Sequence, residues 1–257
     1  MENTELKNDL KPSSSSENVK IISKSNALRL IRDIKQITKN PLTEHGIYYN
    51  HDQVDMLKGY AMIIGPESSL YEDGCYLFEF NFTPNYPFEP PVLKFKTNNG
   101  ETRFNPNLYK NGKVCVSILN TWRGEQWSSC QNISTILLTL VSLLNNTPFL
   151  NEPGVTEKHP HYDNYHKIIQ YENINFSVLY FIKNDYFVRG FESFYMIYMK
   201  HFRKKHEAIK ERVNKLKQTE KNETIHVGFY KMTSNINYDN LLKKITDVKI
   251  DDVNIDE

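Results

Sequence analysis

One stretch of the chain has the residue types for nucleophilic chemistry. Cys115 follows an Asn111-Gly112 turn, and that turn follows a stiff Asn105-Pro106-Asn107 corner. A thiolate is a strong nucleophile. Asn107 can bond backbone and simply hold the loop, as Asn does in turns. Cys115 likewise has a plain reading, as a small buried hydrophobe.

Other chemistries fit less well. A cysteine hydrolase needs a His oriented toward the thiol, and no His falls between His51 and His159. His159, His161 and His166 form a His-x-His-x4-His pattern without nearby thiolates. Structural zinc prefers Cys-rich sets, so this reads as a loop-to-helix junction, and neither metal nor organic cofactor is expected. The three cysteines, at 75, 115 and 130, include no Cys-x-x-Cys pair. That argues against a disulfide framework and for a reducing compartment, cytoplasmic or nuclear. Cys75 lies in a strand pattern and reads as structural.

These residues need a mounting, and the pattern around them supplies one. Residues 1–22, with the run Ser13 to Ser16, read as a disordered tail. A helix is expected from the cap Ser25 to Asn40-Pro41. Ala27, Leu30, Ile31, Ile34 and Ile37 form its apolar stripe. Arg29, Arg32, Lys35 and Lys39 lie opposite, as a solvated face or a docking face for an acidic partner. Strands are expected at Ile47–Asn50, Met56–Ile64, Cys75–Phe82 and Val92–Lys96, with a hairpin signal at Asp73-Gly74. In the third, Tyr76, Phe78, Phe80 and Phe82 point one way and Cys75, Leu77, Glu79 and Asn81 the other. Pro84, Pro87, Pro90 and Pro91 make the next connection stiff.

A second helix is expected over Gln131–Asn145. It is apolar nearly all round and so buried, with a Ser128-x-x-Gln131 capping box and a stop at Thr147-Pro148. Helical patterns return over Tyr162–Lys183 and Phe187–Gln218. Phe187, Phe191, Phe194, Tyr195, Tyr198 and Phe202 form a packing stripe in the latter. From Lys221 the chain turns polar, with a short helix around Leu241, Leu242 and Ile245 and an acidic end.

The composition is that of an ordinary globular protein: 257 residues, 39% hydrophobic, 25% charged, net charge +1. There is no global basic field of the kind a nucleic-acid binder carries. No run of about 18 apolar residues marks a membrane span, and Met1 to Lys20 has no apolar core of a secretory signal.

Taken together, Tyr86-Pro87-Phe88-Glu89-Pro90-Pro91, Phe104-Asn105-Pro106-Asn107, Gly112-Lys113-Val114-Cys115, Trp122, Trp127 and the helix from Gln131 resemble the catalytic domain of ubiquitin-conjugating enzymes. The loop Asn120–Trp127 and the segment Asn151-Glu152-Pro153-Gly154 are similar to its large Z-type branch. The resemblance implies an α+β fold: an N-terminal helix, a four-stranded antiparallel meander, a central helix and C-terminal helices. It divides the chain into the tail (1–22), a catalytic core (23–170) and a helical C-terminal extension with a polar, acidic tail (171–257).

The resemblance also implies roles. Cys115 matches the thioester cysteine, which keeps an acyl group activated toward an amine, and Asn107 the final Asn of the family's His-Pro-Asn motif, with Asn105 in place of the usual His. This gives Asn107 a second reading, in which its side-chain N–H donates to the oxyanion formed when a lysine attacks the thioester. Ser117 stands where many members carry an acidic gate residue, and Glu152 matches an acidic position near the incoming lysine. Arg29, Arg32 and Lys35 match the docking face for a ubiquitin-activating enzyme. Phe88 and Ser129 match the ligase-binding surface, although Ser128-Ser129-Cys130 replaces the usual Ser-Pro-Ala. The expected partners are ubiquitin or a ubiquitin-like protein, an activating enzyme that uses the ATP, a ubiquitin ligase and substrate lysines. The rival is a non-catalytic ubiquitin-binding scaffold on the same fold.

Overall fold

The computed structural model describes residues 22–183 and 189–248. Residues 1–21 of the tail expected over 1–22, Phe187 and the acidic end lie outside them. The first helix, α1 (Lys24–Lys39), is capped by Ser23, whose hydroxyl accepts from the Asn26 N–H at 3.2 Å. The expected cap, Ser25, instead sits inside the helix and bonds Ser23. Leu30, Asp33 and Ile37 form its buried stripe. Asp33 is at home there because Arg29 and the Tyr86 hydroxyl both donate to it, since a buried charge needs such partners.

Four strands follow as an antiparallel meander in sequence order: β1 (Ile47–His51), β2 (Lys58–Ile64), β3 (Cys75–Asn81) and β4 (Val92–Phe95). Ile63 pairs Tyr76, Ala61 pairs Phe78 and Gly59 pairs Phe80, so β3 aims its aromatics at one face. The opposite face is covered as well. Cys75 and Leu77 are fully buried there, and burial pushes the Cys75 thiol pKa well up.

The central helix, α2, runs over Ile133–Leu143. It begins later than its sequence suggests. The Asn132 side chain accepts from the Thr135 N–H at 3.0 Å and caps it, while Ser128 and Gln131 close a separate turn just before. Its buried residues fall on one stripe, Ile133, Ile136, Leu137 and Leu140, and Leu138 is 40% exposed. The helix is therefore amphipathic by packing rather than buried all round.

The chain continues through α3 (Tyr162–Glu172), a π-helical stretch (Asn173–Val178), α4 (Tyr180–Lys183) and the long α5 (Glu192–Thr219). It ends in a hairpin of β5 (Glu223–Val227) and β6 (Met232–Ile236), then α6 (Tyr238–Thr246). The hairpin corrects the all-helical extension. Its signal lies in the alternation of buried Ile225 and Val227, and of Met232, Ser234 and Ile236, either side of Gly228. The expected boundary at 170 falls inside α3, and residues from Leu30 to Ile245 form one hydrophobic core.

The extension covers the second face of the sheet. Phe191 meets Tyr60 of β2 edge-on at 5.1 Å, and Asn50 of β1 donates to Ser193. The β2–β3 turn anchors α5: the Tyr198 hydroxyl reaches the Asp73 carbonyl, His201 Nε2 lies 2.8 Å from Asp73 Oδ1, and Arg212 bonds both Glu72 and Asp73. Burial alone would raise the Asp73 pKa. The bond from His201 and the Arg212 guanidinium outweigh it and hold the carboxyl below its ordinary value.

Asp73→Asn therefore tests this anchor. Asn tolerates the positive φ of 62° at this position, so the change removes charge and little else. The variant is expected to lose about 2 kcal/mol at pH 7, as charge-assisted hydrogen bonds contribute. A depressed carboxylate pKa stabilises above the unfolded value of 3.8 and loses its effect as pH falls through the folded one. Urea denaturation at pH 7 and near pH 3 is expected to show the gap between the two proteins closing.

Candidate active site

Cys115 lies in the loop before a single 3-10 turn at Ser117–Leu119 and is 2% exposed. It is locked to Asn107 in both directions. Its N–H donates to the Asn107 carbonyl at 2.9 Å, and the Asn107 side-chain amide donates to its carbonyl at 2.6 Å. Of the two readings of Asn107, this arrangement is the one that holds the loop. The other end of the same carboxamide is unspent: Asn107 Oδ1 is buried and has no partner among the described residues. Thr121 clamps the far side, accepting from the Val116 N–H at 3.0 Å.

The residue that organises this loop is Asn105, which is fully buried. Its amide donates to the Leu143 carbonyl at the end of α2 and to the Tyr71 hydroxyl, and Tyr71 in turn donates to the Phe104 carbonyl. Its oxygen accepts from the Asn107 N–H at 3.0 Å and, at 3.5 Å, from Asn151. Asn in place of the expected His therefore does not loosen the corner. It ties it to three other segments.

Glu152 follows Asn151 and is half-buried. It is not a free surface charge. The Tyr230 hydroxyl, from the turn between β5 and β6, donates to it at 2.5 Å. Burial and then the carboxylate itself push the Tyr230 phenol well up, so it stays protonated as the donor. Tyr230 also packs on Phe149, as does Phe229. Arg103 lies over Tyr109 at 3.3 Å and over Tyr230 at 5.0 Å while donating to the Asn105 and Pro106 carbonyls. Sequence reading missed Asn105 as a hub and Tyr230, because their partners lie far away in the chain, and Arg103, because its place is set by joining the nearby Asn105-Pro106 carbonyls to the distant Tyr230 ring.

Ser117 stands beside Cys115 and is covered by Gly124 of the Asn120–Trp127 loop: a methyl group at Gly124 would come within 3.1 Å of its Cβ. A cleft of about 520 Å³ separates Asn120–Arg123 from Pro153, next to Glu152. Arg32 and Lys35 are exposed on α1, but Arg29 is not part of a free docking face. Its guanidinium bonds Asp33 and the Ser129 and Gln131 carbonyls at 2.6 and 2.8 Å, bracing α1 against the turn before α2. Phe88 is 74% exposed, and the neighbouring Pro87 carbonyl accepts from the Trp127 indole, which brings it beside the Ser128–Cys130 turn. His159 is packed between Phe149 and Phe229, His166 bonds the Tyr162 carbonyl, and no group of three His, Cys, Asp or Glu able to hold a metal occurs among the described residues. No described helix is long and apolar enough to cross a membrane.

Comparison with known proteins gives one answer. A family model described as ubiquitin-conjugating enzyme matches residues 29–186. Human ubiquitin-conjugating enzyme E2 Z is 46% identical over 154 residues, which are 59% of this chain and 43% of that protein. A probable ubiquitin-conjugating enzyme of Caenorhabditis elegans is 33% identical over 174 residues, 63% of this chain and 23% of its own. One from Acanthamoeba polyphaga mimivirus is 35% identical over 200 residues, 72% of this chain and 14% of its own. The chain thus spans less than half the length of these relatives.

Asn105→Ala leaves the Leu143 carbonyl and the Asn107 N–H without their partner. Orphaned buried groups cost about 1–3 kcal/mol each. The expected loss is about 3 kcal/mol, read as a lowered urea midpoint with an unchanged slope.

Proposed function

Because the chain belongs to the ubiquitin-conjugating enzyme family, we propose that Cys115 carries the activated C-terminus of ubiquitin, or of a ubiquitin-like modifier, as a thioester and passes it to a lysine amine. The observation that supports this most directly is the interlock of Cys115 with Asn107, in a corner that Asn151 joins through Asn105 just before the carboxylate Glu152. In loading, the Cys115 thiolate attacks the thioester held by an activating enzyme and that enzyme's thiolate leaves. Cys115 is nearly buried, so the exposed loop from Thr121 must yield for this to happen.

In discharge, the lysine nitrogen attacks the carbonyl carbon. The tetrahedral oxyanion collapses to an amide as the C–S bond breaks and the Cys115 thiolate departs. Asn107 can hand its N–H from the Cys115 carbonyl to that oxyanion. Glu152 orients the amine and takes up its proton. Ser117, in the place of an acidic gate, adds no second charge at the cysteine. The exposed Arg32 and Lys35 serve the activating enzyme, and Phe88 with the Ser129 turn serves a ligase. The thiols at 75, 115 and 130 are all free, which suits a cytoplasmic or nuclear setting.

With an activating enzyme, ATP and modifier, wild type is expected to form an adduct that a reducing agent cleaves. Cys115→Ala forms none, and Cys115→Ser forms one that survives reduction. An adduct retained in Cys115→Ala, or none in wild type across a panel of activating enzymes and modifiers, sinks the proposal. Asn107→Ala is expected to load normally but discharge to free lysine about 100-fold more slowly, as one oxyanion donor contributes. Single-turnover discharge checks this.

A further inference from the structure

The turn between β5 and β6 touches both loops of the site. On one side, Lys110 Nζ donates to the Lys231 carbonyl at 2.9 Å, and the Arg103 N–H lies 3.3 Å from the Met232 sulfur. Arg103 also reaches from the Tyr230 ring to the Asn105-Pro106 carbonyls just before Asn107. On the other side, Phe229 and Tyr230 clasp Phe149 at 5.8 Å, and the Tyr230 hydroxyl holds Glu152. The C-terminal hairpin thus bridges the loop that carries the nucleophile and the loop that carries the carboxylate. Packing alone would be served by a Phe at 230. The hydroxyl is aimed at Glu152, the carboxylate next in sequence to Pro153, which lines the cleft.

We propose that Tyr230 is a positioning residue for amine transfer: its hydroxyl fixes the Glu152 carboxylate so that one oxygen stays aimed at the incoming lysine nitrogen. The proposal rests on the conjugating activity assigned to Cys115 and deepens it. A carboxylate on a loop has several rotamers, and ordering one of them before the amine arrives removes an entropic cost from the reaction. Tyr230 touches neither the thioester nor the amine, so its effect passes through Glu152. It appears where the amine must be oriented and deprotonated, and not in loading, which uses no amine.

The experiment is single-turnover discharge of the Cys115 thioester in the full chain. Wild type, Tyr230→Phe, Glu152→Gln and the double variant are compared, first with free lysine and then with hydroxylamine. Hydroxylamine is a small nucleophile already deprotonated at neutral pH and needs no oriented base. Tyr230→Phe keeps the ring, so loading is expected to match wild type and the melting temperature to fall by no more than a few degrees, as the loss of one hydrogen bond to a half-buried carboxylate produces. Lysine discharge is expected to fall about tenfold in the saturating rate, with little change in the lysine concentration at half-saturation, as a misplaced catalytic group would produce. Hydroxylamine discharge is expected to stay within about twofold, and Tyr230→Phe to add nothing in the Glu152→Gln background. Unchanged lysine discharge in Tyr230→Phe, equal slowing with both nucleophiles, or multiplying effects in the double variant would overturn the proposal while leaving the conjugating activity intact. No thioester in wild type removes the activity itself, and this proposal with it.

Discussion

The carboxamide of Asn105 is the constraint around which the site is assembled. Four segments far apart in the chain meet at one buried side chain: the turn before β3 through Tyr71, the end of α2 through the Leu143 carbonyl, the Cys115 loop through Asn107, and the Glu152 loop through Asn151. A primary amide offers two donors and an oxygen with two acceptor sites, and all are engaged here. A neutral imidazole has one donor and one acceptor. The departure from the family's usual His at this position is thus a gain in ties. It also frees the corner from dependence on a ring whose charge changes near neutral pH.

The same logic explains why the C-terminal extension is not an appendage. A meander buries its aromatic face against the rest of a core and leaves the other face to be covered or solvated. Here that second face carries Met62, Cys75 and Leu77, all fully buried, so something must cover it. The segments after α3 do so, and Asp73, at the head of β3, is where α5 is fastened with a histidine and an arginine. Once α5 is fixed, the chain that leaves it has to return across the molecule. The hairpin that results closes on Phe149 and Glu152. Stability and the arrangement of the site are therefore linked through one stretch of chain.

Much of this was legible in the sequence because it is local. The strand order follows from alternation and turn residues, α2 from its apolar run, and the Cys115 corner from Asn-Pro-Asn and Asn-Gly. The Phe194–Tyr198–Phe202 stripe reads directly as a packing face, and it is buried. The errors are local competitions. Ser25 lost the cap to Ser23, and Ser128 lost it to Asn132, because several good caps stood within a few residues of each other and pattern alone does not choose between them. The failures of substance are non-local. Arg29 reads as one more cation on a basic face, yet the turn before α2 supplies two carbonyls for its guanidinium. Tyr230 reads as a loop aromatic, because its partner, Glu152, is 78 residues away.

The distribution of charge shows why those non-local ties matter. Around Cys115 the immediate supports are neutral: Asn105, Asn107 and Thr121 hold backbone by amide and hydroxyl groups, and Asn151 bonds the Asn105 side chain. The ionised groups stand one step out, with Glu152 under Tyr230, and Arg103 between Tyr109 and Tyr230. In the proposed transfer the Cys115 sulfur leaves as a thiolate, and this separation favours it, since a carboxylate against the sulfur would oppose the charge it acquires. In the same proposal the carboxylate acts only on the side from which the amine approaches. Holding it without neutralising it requires a donor that is itself uncharged. A phenol whose pKa is driven upward by its surroundings meets that requirement, and a lysine or arginine in its place would neutralise the charge that the amine has to meet.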